Sequence, residues 1–307
     1  MDKNYFKKIK ILDGGMGQQL LSKGLISKGT LWSASALLEE KYHQLIIDAH
    51  LSFIDAGAEI ILTNTFTTRK VRFQQNNVND KFEYANKKAC ELALKAKEIS
   101  KKNILIAGAL PAQNDTYKVD ERNELEIKKS FEDQANLIEP YIDFFYLDVL
   151  SSIKEIKVAI EVLNNFNKPI LIGVHIKKDG KLPSGERISE IFKSINIKKV
   201  IGILAACVSI EIAQKTSLEF KKLDIPFGFK VNLWGVEEPL PIKEFNNSIY
   251  NEIGVNPNVR MGVRDNVDTK FFKKFIKNMI DNGATILGGC CETKPEHIKM
   301  ISQVVNL

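Results

Sequence analysis

The stretch ILDGGMG, residues 11–17, joins a short apolar run to a glycine-rich turn. An apolar run of this kind predicts a buried strand, and glycines directly after it predict a tight turn into a helix. In an open, doubly wound sheet the turn after the first strand would carry the order GxGxxG. DGGMG lacks that order, so this stretch favours a closed barrel over an open sheet.

Seven more apolar runs follow along the chain, and helical patterns separate them. Two of these patterns, residues 39–58 and 151–166, place apolar side chains at a spacing of about 3.6 residues. Alternating strands and helices predict a parallel sheet, and eight such units fit an α/β fold of the (β/α)8 TIM-barrel type, as a single domain over residues 1–307. The predicted strands are Ile11–Asp13, Ile60–Thr63, Ile104–Gly108, Phe144–Asp148, Pro169–Val174, Val200–Leu204, Phe227–Asn232 and Thr285–Gly288.

Composition narrows the class of protein. The net charge of +6 comes from scattered lysines, which predicts a solvated basic surface and no nucleic-acid partner. No run of 18 apolar residues and no signal-type apolar core is found, so we expect no membrane association and a cytoplasmic location. Four cysteines are too few for a disulfide framework, and Cys90 lies in a helical pattern that predicts a packed thiol.

Polar and sulfur-bearing side chains stand at the carboxyl ends of the predicted strands, where barrel enzymes build their active sites. Asp13 ends the first strand and Asp148 ends the fourth. Cys207 follows the sixth strand, and Cys290 and Cys291 follow the eighth. Three cysteines are therefore expected to converge at one mouth of the barrel.

Three thiolates at one mouth are suited to zinc, which in catalytic sites keeps three protein ligands and one open position. Neighbouring Cys290 and Cys291 can share an ion only if the backbone turns sharply, and we expect Gly288 and Gly289 to give that freedom. The alternative is that the two neighbours are packed small residues or a redox pair. The strand-end position and the third cysteine, Cys207, favour a Zn²⁺ site.

Four segments resemble the homocysteine S-methyltransferase family, in order along the chain from about Ile11 to Ile301. The resemblance implies a homocysteine-binding (β/α)8 barrel with zinc on Cys207, Cys290 and Cys291. It also implies transfer of a methyl group from a small sulfonium or ammonium donor to homocysteine, which gives methionine. The segments are DGGMGQQLLSKG (13–24), LWSASALLE (31–39), GAEIILTNTF (57–66) and ILGGCCETKPEHI (286–298).

The resemblance also implies that Asp13 and Asp148 hold the ammonium group of the acceptor amino acid. Relatives usually have glutamate at position 148, and asparagine where this chain has Ala206. These two departures leave open a different small thiol as the acceptor. For Asp148 the alternative role is the N-cap of the helix that follows.

Four further residues are predicted to contact substrates. Trp32 and Phe66 fall where aromatic rings could face a cationic methyl donor, although both could equally belong to the core. Thr63 and Asn232 are the last residues of the predicted second and seventh strands, and both are expected to bind substrate, Asn232 through a hydrogen bond in the pocket.

Several alternatives remain at the level of sequence. S-methylmethionine, betaine, S-adenosylmethionine and dimethylsulfoniopropionate are all compatible as donors, and so is a separate corrinoid protein. A zinc hydrolase would use activated water, but three thiolates without an evident general base favour thiol activation. A non-catalytic barrel that binds zinc or a thiol is the third alternative, and self-association is open.

Overall fold

Eight parallel strands form one sheet in the computed structural model, which describes residues 3–241, 250–254, 256–265 and 267–306. Neighbours in the sheet follow the order β1-β8-β7-β6-β5-β4-β3-β2. Leu12 also pairs in parallel with Ile60, so β1 meets β2 and the ring closes. The predicted TIM barrel is confirmed. The strands are β1 Lys10–Ile11, β2 Ile60–Leu62, β3 Leu105–Pro111, β4 Phe144–Leu150, β5 Ile170–Val174, β6 Val200–Val208, β7 Phe227–Val231 and β8 Ile286–Gly289.

Helices connect the strands and cover the outside of the barrel. Their apolar faces pack on the outer face of the sheet, and this layer holds most of the buried apolar side chains. In the described part of the chain the α-helices are α1 Met16–Ser22, α2 His43–Asp55, α3 Lys70–Gln75, α4 Phe82–Ser100, α5 Glu124–Ile138, α6 Ile153–Leu163, α7 Ile188–Ser194, α8 Ile210–Lys221, α9 Asn258–Met261, α10 Thr269–Asp281 and α11 Pro295–Val305. Short 3-10 helices lie at Lys3–Lys7, Trp32–Leu37, Glu40–Tyr42, Asn79–Lys81 and Glu139–Tyr141.

A second apolar cluster fills the barrel interior, and it closes the end opposite the site. Phe6, in the N-terminal 3-10 helix, is fully buried and meets the ring of Phe144 edge-on, with 6.1 Å between centroids. Phe144 is the first residue of β4. Phe6 therefore plugs the amino-terminal end of the strands, and the open cavity lies at their carboxyl ends.

Three strands continue at least two residues beyond their predicted ends. β3 continues past Gly108 to Pro111, β4 past Asp148 to Leu150, and β6 past Leu204 to Val208. Cys207 therefore lies within β6 and does not follow it, and Asp148 lies within β4 and does not end it. In β3 and β6 the predicted ends were too early because small residues such as alanine give no clear strand signal.

β-Bulges re-aim the chain at the ends of two strands. The pairing of β6 with β7 shifts between Ala206 and Val208, and Cys207 has a left-handed φ of 52°. The pairing of β4 with β5 shifts in the same way beside Asp148, where Val149 has a φ of 61°. Bulges concentrate next to active sites because the extra residue redirects a side chain. Here each bulge adjoins a predicted site residue.

The two long loops predicted at residues 177–189 and 233–262 lie at the carboxyl ends of β5 and β7. The first forms a small antiparallel turn, with Lys181 paired to Arg187. Residues 242–249 and 255 of the second lie outside the described residues. None of the helices in the described ranges is long and apolar enough to span a bilayer.

Candidate metal centre and active site

The three predicted cysteine ligands come together at the carboxyl end of the barrel. Cys207 is part of β6, and Cys290 and Cys291 directly follow β8. The Sγ atoms of Cys207 and Cys291 are 3.7 Å apart, and those of Cys290 and Cys291 are 3.9 Å apart. Three sulfurs on one tetrahedral zinc ion, each at about 2.3 Å, would be separated by about 3.8 Å. The spacing of this cysteine cluster therefore fits zinc.

The electrostatics of the cysteine cluster also fit a divalent cation. Burial opposes ionisation of Cys207, yet hydrogen bonds from the other two thiols and from Tyr117 lower its pKa below the ordinary value. Hydrogen bonding to Cys207 raises the pKa of both Cys290 and Cys291. The thiols by themselves thus favour a single thiolate. A bound cation would allow all three to ionise, because a coordinating thiol is deprotonated.

The glycine pair before the cysteines provides room and does not provide an unusual conformation. Neither Gly288 nor Gly289 has a positive φ; the left-handed residue of this turn is Glu292, at 62°. A Cβ on Gly288 would lie 2.8 Å from the Cβ of Leu12, and one on Gly289 would overlap Thr293. The expectation that these glycines supply conformational freedom is wrong. They let β8 and the following turn pack closely against β1 and the start of α11.

Three side chains, of which His175 and Asn232 are buried and Tyr117 is partly buried, position the backbone and sulfur of Cys207. The Tyr117 hydroxyl lies 3.1 Å from Cys207 Sγ, and its ring lies 4.5 Å from that of His175. Burial lowers the pKa of His175 to about 4, so this imidazole is neutral. Asn232 Nδ2 donates to the Cys207 carbonyl at 2.7 Å, and its Oδ1 accepts from Trp234 N at 3.2 Å. Asn232 thus holds the ligand backbone and does not line the cavity.

Asp13, Asp148 and Lys230 form a second group, the charged trio. Asp13 Oδ1 accepts from Lys230 Nζ at 2.9 Å, and Oδ2 accepts from Leu62 N at 2.7 Å. The Asp13 and Lys230 side chains are only 2% and 3% exposed. Burial alone would lower the pKa of Lys230, but the two carboxylates raise it above its ordinary value. Lys230 is therefore a buried cation held between Asp13 and Asp148.

Asp148 is the less satisfied of the two carboxylates. Burial raises its pKa to about 7, against the opposing effect of Lys230. Its Oδ1 atom is buried and forms no hydrogen bond of ordinary geometry among the described residues, although the nearby Tyr146 hydroxyl lowers its pKa. The alternative role as a helix cap does not apply, because Ser152 caps α6 by accepting from Glu155 N at 3.1 Å. Asp148 therefore has capacity to accept a hydrogen bond from a ligand.

A cavity joins the cysteine cluster to the charged trio, and its empty space out to bulk solvent is about 1140 Å³. Trp32, Thr63 and Phe66, which were predicted to contact substrates, also line it, whereas Asn232 does not. Thr63 Oγ1 accepts from Ala109 N at 3.1 Å and lies 2.8 Å from Thr65 Oγ1, so its hydroxyl also fixes β2 against β3.

Several polar residues of the cavity were not singled out from the sequence, among them Gln18, Arg69, Tyr117 and Lys230. A signal existed for Lys230, because a lysine inside the apolar strand FGFKV needs a buried partner. Arg69 carried a weaker signal as a cation a few residues beyond β2. Nothing local identifies Tyr117 or Gln18, because their positions depend on loops from other parts of the barrel.

Comparisons with known proteins agree with this geometry. A model of the family described as homocysteine S-methyltransferase matches residues 10–305. The chain is 24% identical to the S-methylmethionine–homocysteine S-methyltransferase BHMT2 of Pongo abelii, over 96% of this chain and 78% of that protein. It is also 24% identical to betaine–homocysteine S-methyltransferase 1 of Mus musculus, over 96% and 72% of the two chains.

A solved structure shares the fold over nearly the whole chain. It is the homocysteine methyltransferase MmuM from Escherichia coli in its metallated form, with a TM-score of 0.77, 19% identity and 96% coverage of each chain. Such low identity speaks for the barrel alone, whereas the family match spans almost every residue of the barrel and the cysteine cluster. The chain belongs to the homocysteine S-methyltransferase family.

Proposed function

We propose that this protein is a zinc-dependent methyltransferase that moves a methyl group from a small sulfonium or ammonium donor to the thiol of homocysteine, giving methionine. The observation that carries the proposal is the cysteine cluster, whose sulfurs are spaced for one tetrahedral ion and face a cavity. Relatives that act on homocysteine with S-methylmethionine or betaine support it, as does the metallated form of MmuM.

Cys207, Cys290 and Cys291 would hold the zinc ion. When bound, zinc would keep the acceptor's sulfur as a thiolate at neutral pH, which a free thiol is not. The Tyr117 hydroxyl, 3.1 Å from Cys207 Sγ, can donate a hydrogen bond to that sulfur and fix its direction. The neutral ring of His175 packs against Tyr117 and keeps it in place.

The charged trio would bind the amino-acid end of the acceptor. Two carboxylates and one ammonium leave a net charge of −1, which one substrate ammonium would balance. Asp148 would make the direct contact, because its Oδ1 forms no hydrogen bond of ordinary geometry with the described residues. Asp13 has both oxygens engaged and would act by holding Lys230 and by its charge. A charge-assisted hydrogen bond of this kind is stronger than a neutral one.

The transfer itself needs positioning more than acid–base chemistry. The acceptor sulfur supplies the electron pair of the new S–CH₃ bond, and the bond from methyl to the donor's sulfur or nitrogen breaks with its pair left on that atom. The acceptor's thiol proton is lost to solvent when the thiol binds. Charge disappears from donor and acceptor together, so exclusion of water from the filled cavity would favour the transition state. Holding two reactants in line provides much of the remaining acceleration.

A donor screen with homocysteine tests the proposal. Protein purified without chelator is incubated with homocysteine and, separately, S-methylmethionine, betaine, S-adenosylmethionine and dimethylsulfoniopropionate. Methionine is measured by mass spectrometry. We expect methionine with at least one donor, about one zinc per chain by elemental analysis, and release of about one proton on adding homocysteine.

A matched variant makes the screen decisive. Cys207→Ala removes one ligand and should abolish methionine formation, whereas Cys90→Ala removes a buried thiol of α4 and should leave it unchanged. Turnover that persists in Cys207→Ala would rule out the cysteine cluster as the reaction centre. Zinc-loaded wild type that makes no methionine with any donor would overturn homocysteine methyl transfer.

A further inference from the structure

Arg69 is a buried arginine in the wall of the same cavity. It follows β2, directly precedes α3 and is 2% exposed. Its Nη1 atom donates to the carbonyls of Ala112 at 2.8 Å and Asn114 at 2.6 Å, and lies 3.4 Å from Thr116 Oγ1. These contacts tie one corner of the guanidinium to the segment that follows β3.

The other edge of the guanidinium has no such contacts. All hydrogen bonds of Arg69 to described residues leave from Nη1, and Nε is buried without a partner. No described carboxylate forms an ion pair with it; Asp115 pairs instead with Arg72, at 3.8 Å. Nε and Nη2 together form the edge that binds a carboxylate with two parallel hydrogen bonds.

A buried charge with unused donors is costly unless a partner is supplied. Arg72 also lines the cavity beside Arg69, so this wall brings two guanidinium groups together. Burial lowers the pKa of Arg69, and the charge of Arg72 lowers it further. An anionic ligand in the cavity would relieve both effects.

The guanidinium of Arg69 lies over the ring of Phe66. Its Cζ atom lies 5.3 Å from the ring centroid. A cation already over that ring competes with any donor cation for the same face. Phe66 therefore supports an anion site through Arg69, and the positive centre of a donor would lie further into the cavity.

Arg69 and the cysteine cluster come from different parts of the ring. Arg69 follows β2 and is bonded to the segment after β3, whereas the cysteines belong to β6 and to the end of β8. One cavity is lined by both Arg69 and the cysteine cluster. The charged trio is assigned to the acceptor's ammonium, which leaves the wall at Arg69 for the second substrate, the methyl donor.

We propose, on the basis of the methyl transfer proposed above, that Arg69 binds the carboxylate of the methyl donor through its Nε–Nη2 edge. The donor class is then a zwitterion that carries both a carboxylate and a sulfonium or quaternary ammonium group. The carboxylate meets Arg69, and the methyl-bearing cation faces the cysteine cluster.

The test compares each donor with its methyl ester, which keeps the cationic centre and removes the carboxylate charge. The probes are S-methylmethionine, betaine and dimethylsulfoniopropionate and their methyl esters. In wild type we expect esterification of the working donor to lower kcat/KM by about 10- to 150-fold. In Arg69→Met the kcat/KM for the acid should fall to that for the ester, within about threefold. Arg69→Lys keeps the positive charge but loses the two parallel N–H donors of the guanidinium. Its kcat/KM for the acid should therefore lie between those of wild type and Arg69→Met.

Lys70→Met is the matched control, because Lys70 is the next residue, pairs with Asp133 at 3.0 Å and lies outside the cavity. It should discriminate acid from ester as wild type does. A wild type that uses acid and ester equally would overturn the proposal, and so would an Arg69→Met variant that still prefers the acid. If Arg69→Met instead changes the discrimination between homocysteine and its methyl ester, Arg69 binds the carboxylate of the acceptor and the assignment to the donor is wrong.

Binding measurements separate this proposal from the proposed function. Dimethylglycine and 3-(methylthio)propionate are the demethylated products of two candidate donors, and calorimetry on zinc-loaded protein measures their affinity without turnover. We expect at least about tenfold weaker binding in Arg69→Met and no change in Lys70→Met. This result would support the anion site even if no donor gave methionine. Equal affinity in wild type and Arg69→Met, or no binding of either compound to wild type, would overturn it.

Discussion

The cysteine cluster and the charged trio are neighbours in one cavity, but they balance charge in opposite ways. The three sulfurs of the cluster include no cation, so they can ionise together only around a metal. The trio contains its own cation, Lys230, ion-paired to Asp13 at 2.9 Å. The cluster therefore depends on an external ion, whereas the trio is nearly complete and lacks only one positive charge. One group is built for a metal, the other for a substrate ammonium.

The largest expected effect is on the cluster. Cys290→Ala leaves two sulfurs, too few for a catalytic zinc site, so zinc content should fall from about one to below about 0.1 per chain after mild chelation. Activity should be lost with it. Elemental analysis and the methionine assay measure the two effects.

Cys90→Ala again serves as the control, because Cys90 is a fully buried thiol in α4. It should keep the full zinc content. Retention of zinc by Cys290→Ala, or its loss from Cys90→Ala, would contradict the assignment of the metal to the cluster.

Substitutions of Asp13 and Lys230 in the charged trio should lower the free energy of unfolding and leave the zinc content unchanged. Lys230→Met leaves Asp13 buried and without its cation, which typically costs about 3–5 kcal/mol of unfolding free energy. Asp13→Asn should also destabilise the folded protein, since it removes the ion-pair partner of Lys230. The double variant should be less destabilised than the sum of the two, because neither charge is then left alone. Urea unfolding of the four proteins, with zinc measured in parallel, checks this; strictly additive losses would show that the pair is not coupled.

The same contrast explains what the sequence could predict. Cys290 and Cys291 were identifiable because adjacent cysteines at a strand end are rare and zinc chemistry restricts their use. The barrel was predictable because each strand and helix follows a local pattern. Lys230 was missed because its partner Asp13 lies 217 positions away in sequence and the pair forms only when β7 and β1 close the ring. Arg69 depends in the same way on residues 112–116.

Local backbone irregularities were also beyond the sequence. The bulges at Cys207 and Val149 arise where β6 and β4 fit their neighbours, and no residue pattern marks them. The packing role of Gly288 and Gly289 likewise depends on β1. The cytoplasmic location and the absence of a nucleic-acid partner stay predictions from composition.

Asp148→Asn separates the substrate-binding part of the trio from its structural part. The variant removes the charge that would contact the acceptor's ammonium and leaves the Asp13–Lys230 pair intact. We expect kcat/KM for homocysteine to fall about 10- to 150-fold, mainly through KM, at unchanged zinc content. 4-Mercaptobutanoate, which has the thiol but no ammonium, should be used equally by wild type and variant. An equal fall in kcat/KM for both thiols would show that Asp148 does not bind the ammonium group of homocysteine.

The smallest expected effect concerns Glu155, a buried carboxylate that forms no salt bridge with the described residues, although the charge of Arg122 lowers its pKa somewhat. Its Oε2 accepts from Ser152 Oγ at 2.9 Å, while Oε1 has no partner among the described residues. Burial raises its pKa from an ordinary 4.5 to about 7. The folded state therefore holds this proton more tightly than the unfolded state. Its contribution to stability is fully present below pH 4.5 and is lost as pH rises towards 7.

Glu155→Gln, which cannot ionise, should escape that loss. The difference between 4.5 and about 7 corresponds to about 3 kcal/mol at most. Glutamine offsets part of it by leaving an amide N–H unpaired at the position of Oε1, so we expect a gain of about 1–2 kcal/mol at pH 8. The gain should shrink towards zero near pH 4.5. Urea unfolding at both pH values measures it, with Glu161→Gln on the exposed face of the same helix as the control. An equal effect at both pH values would mean that a buried carboxylate here needs no cation, and the contrast with the charged trio would fail.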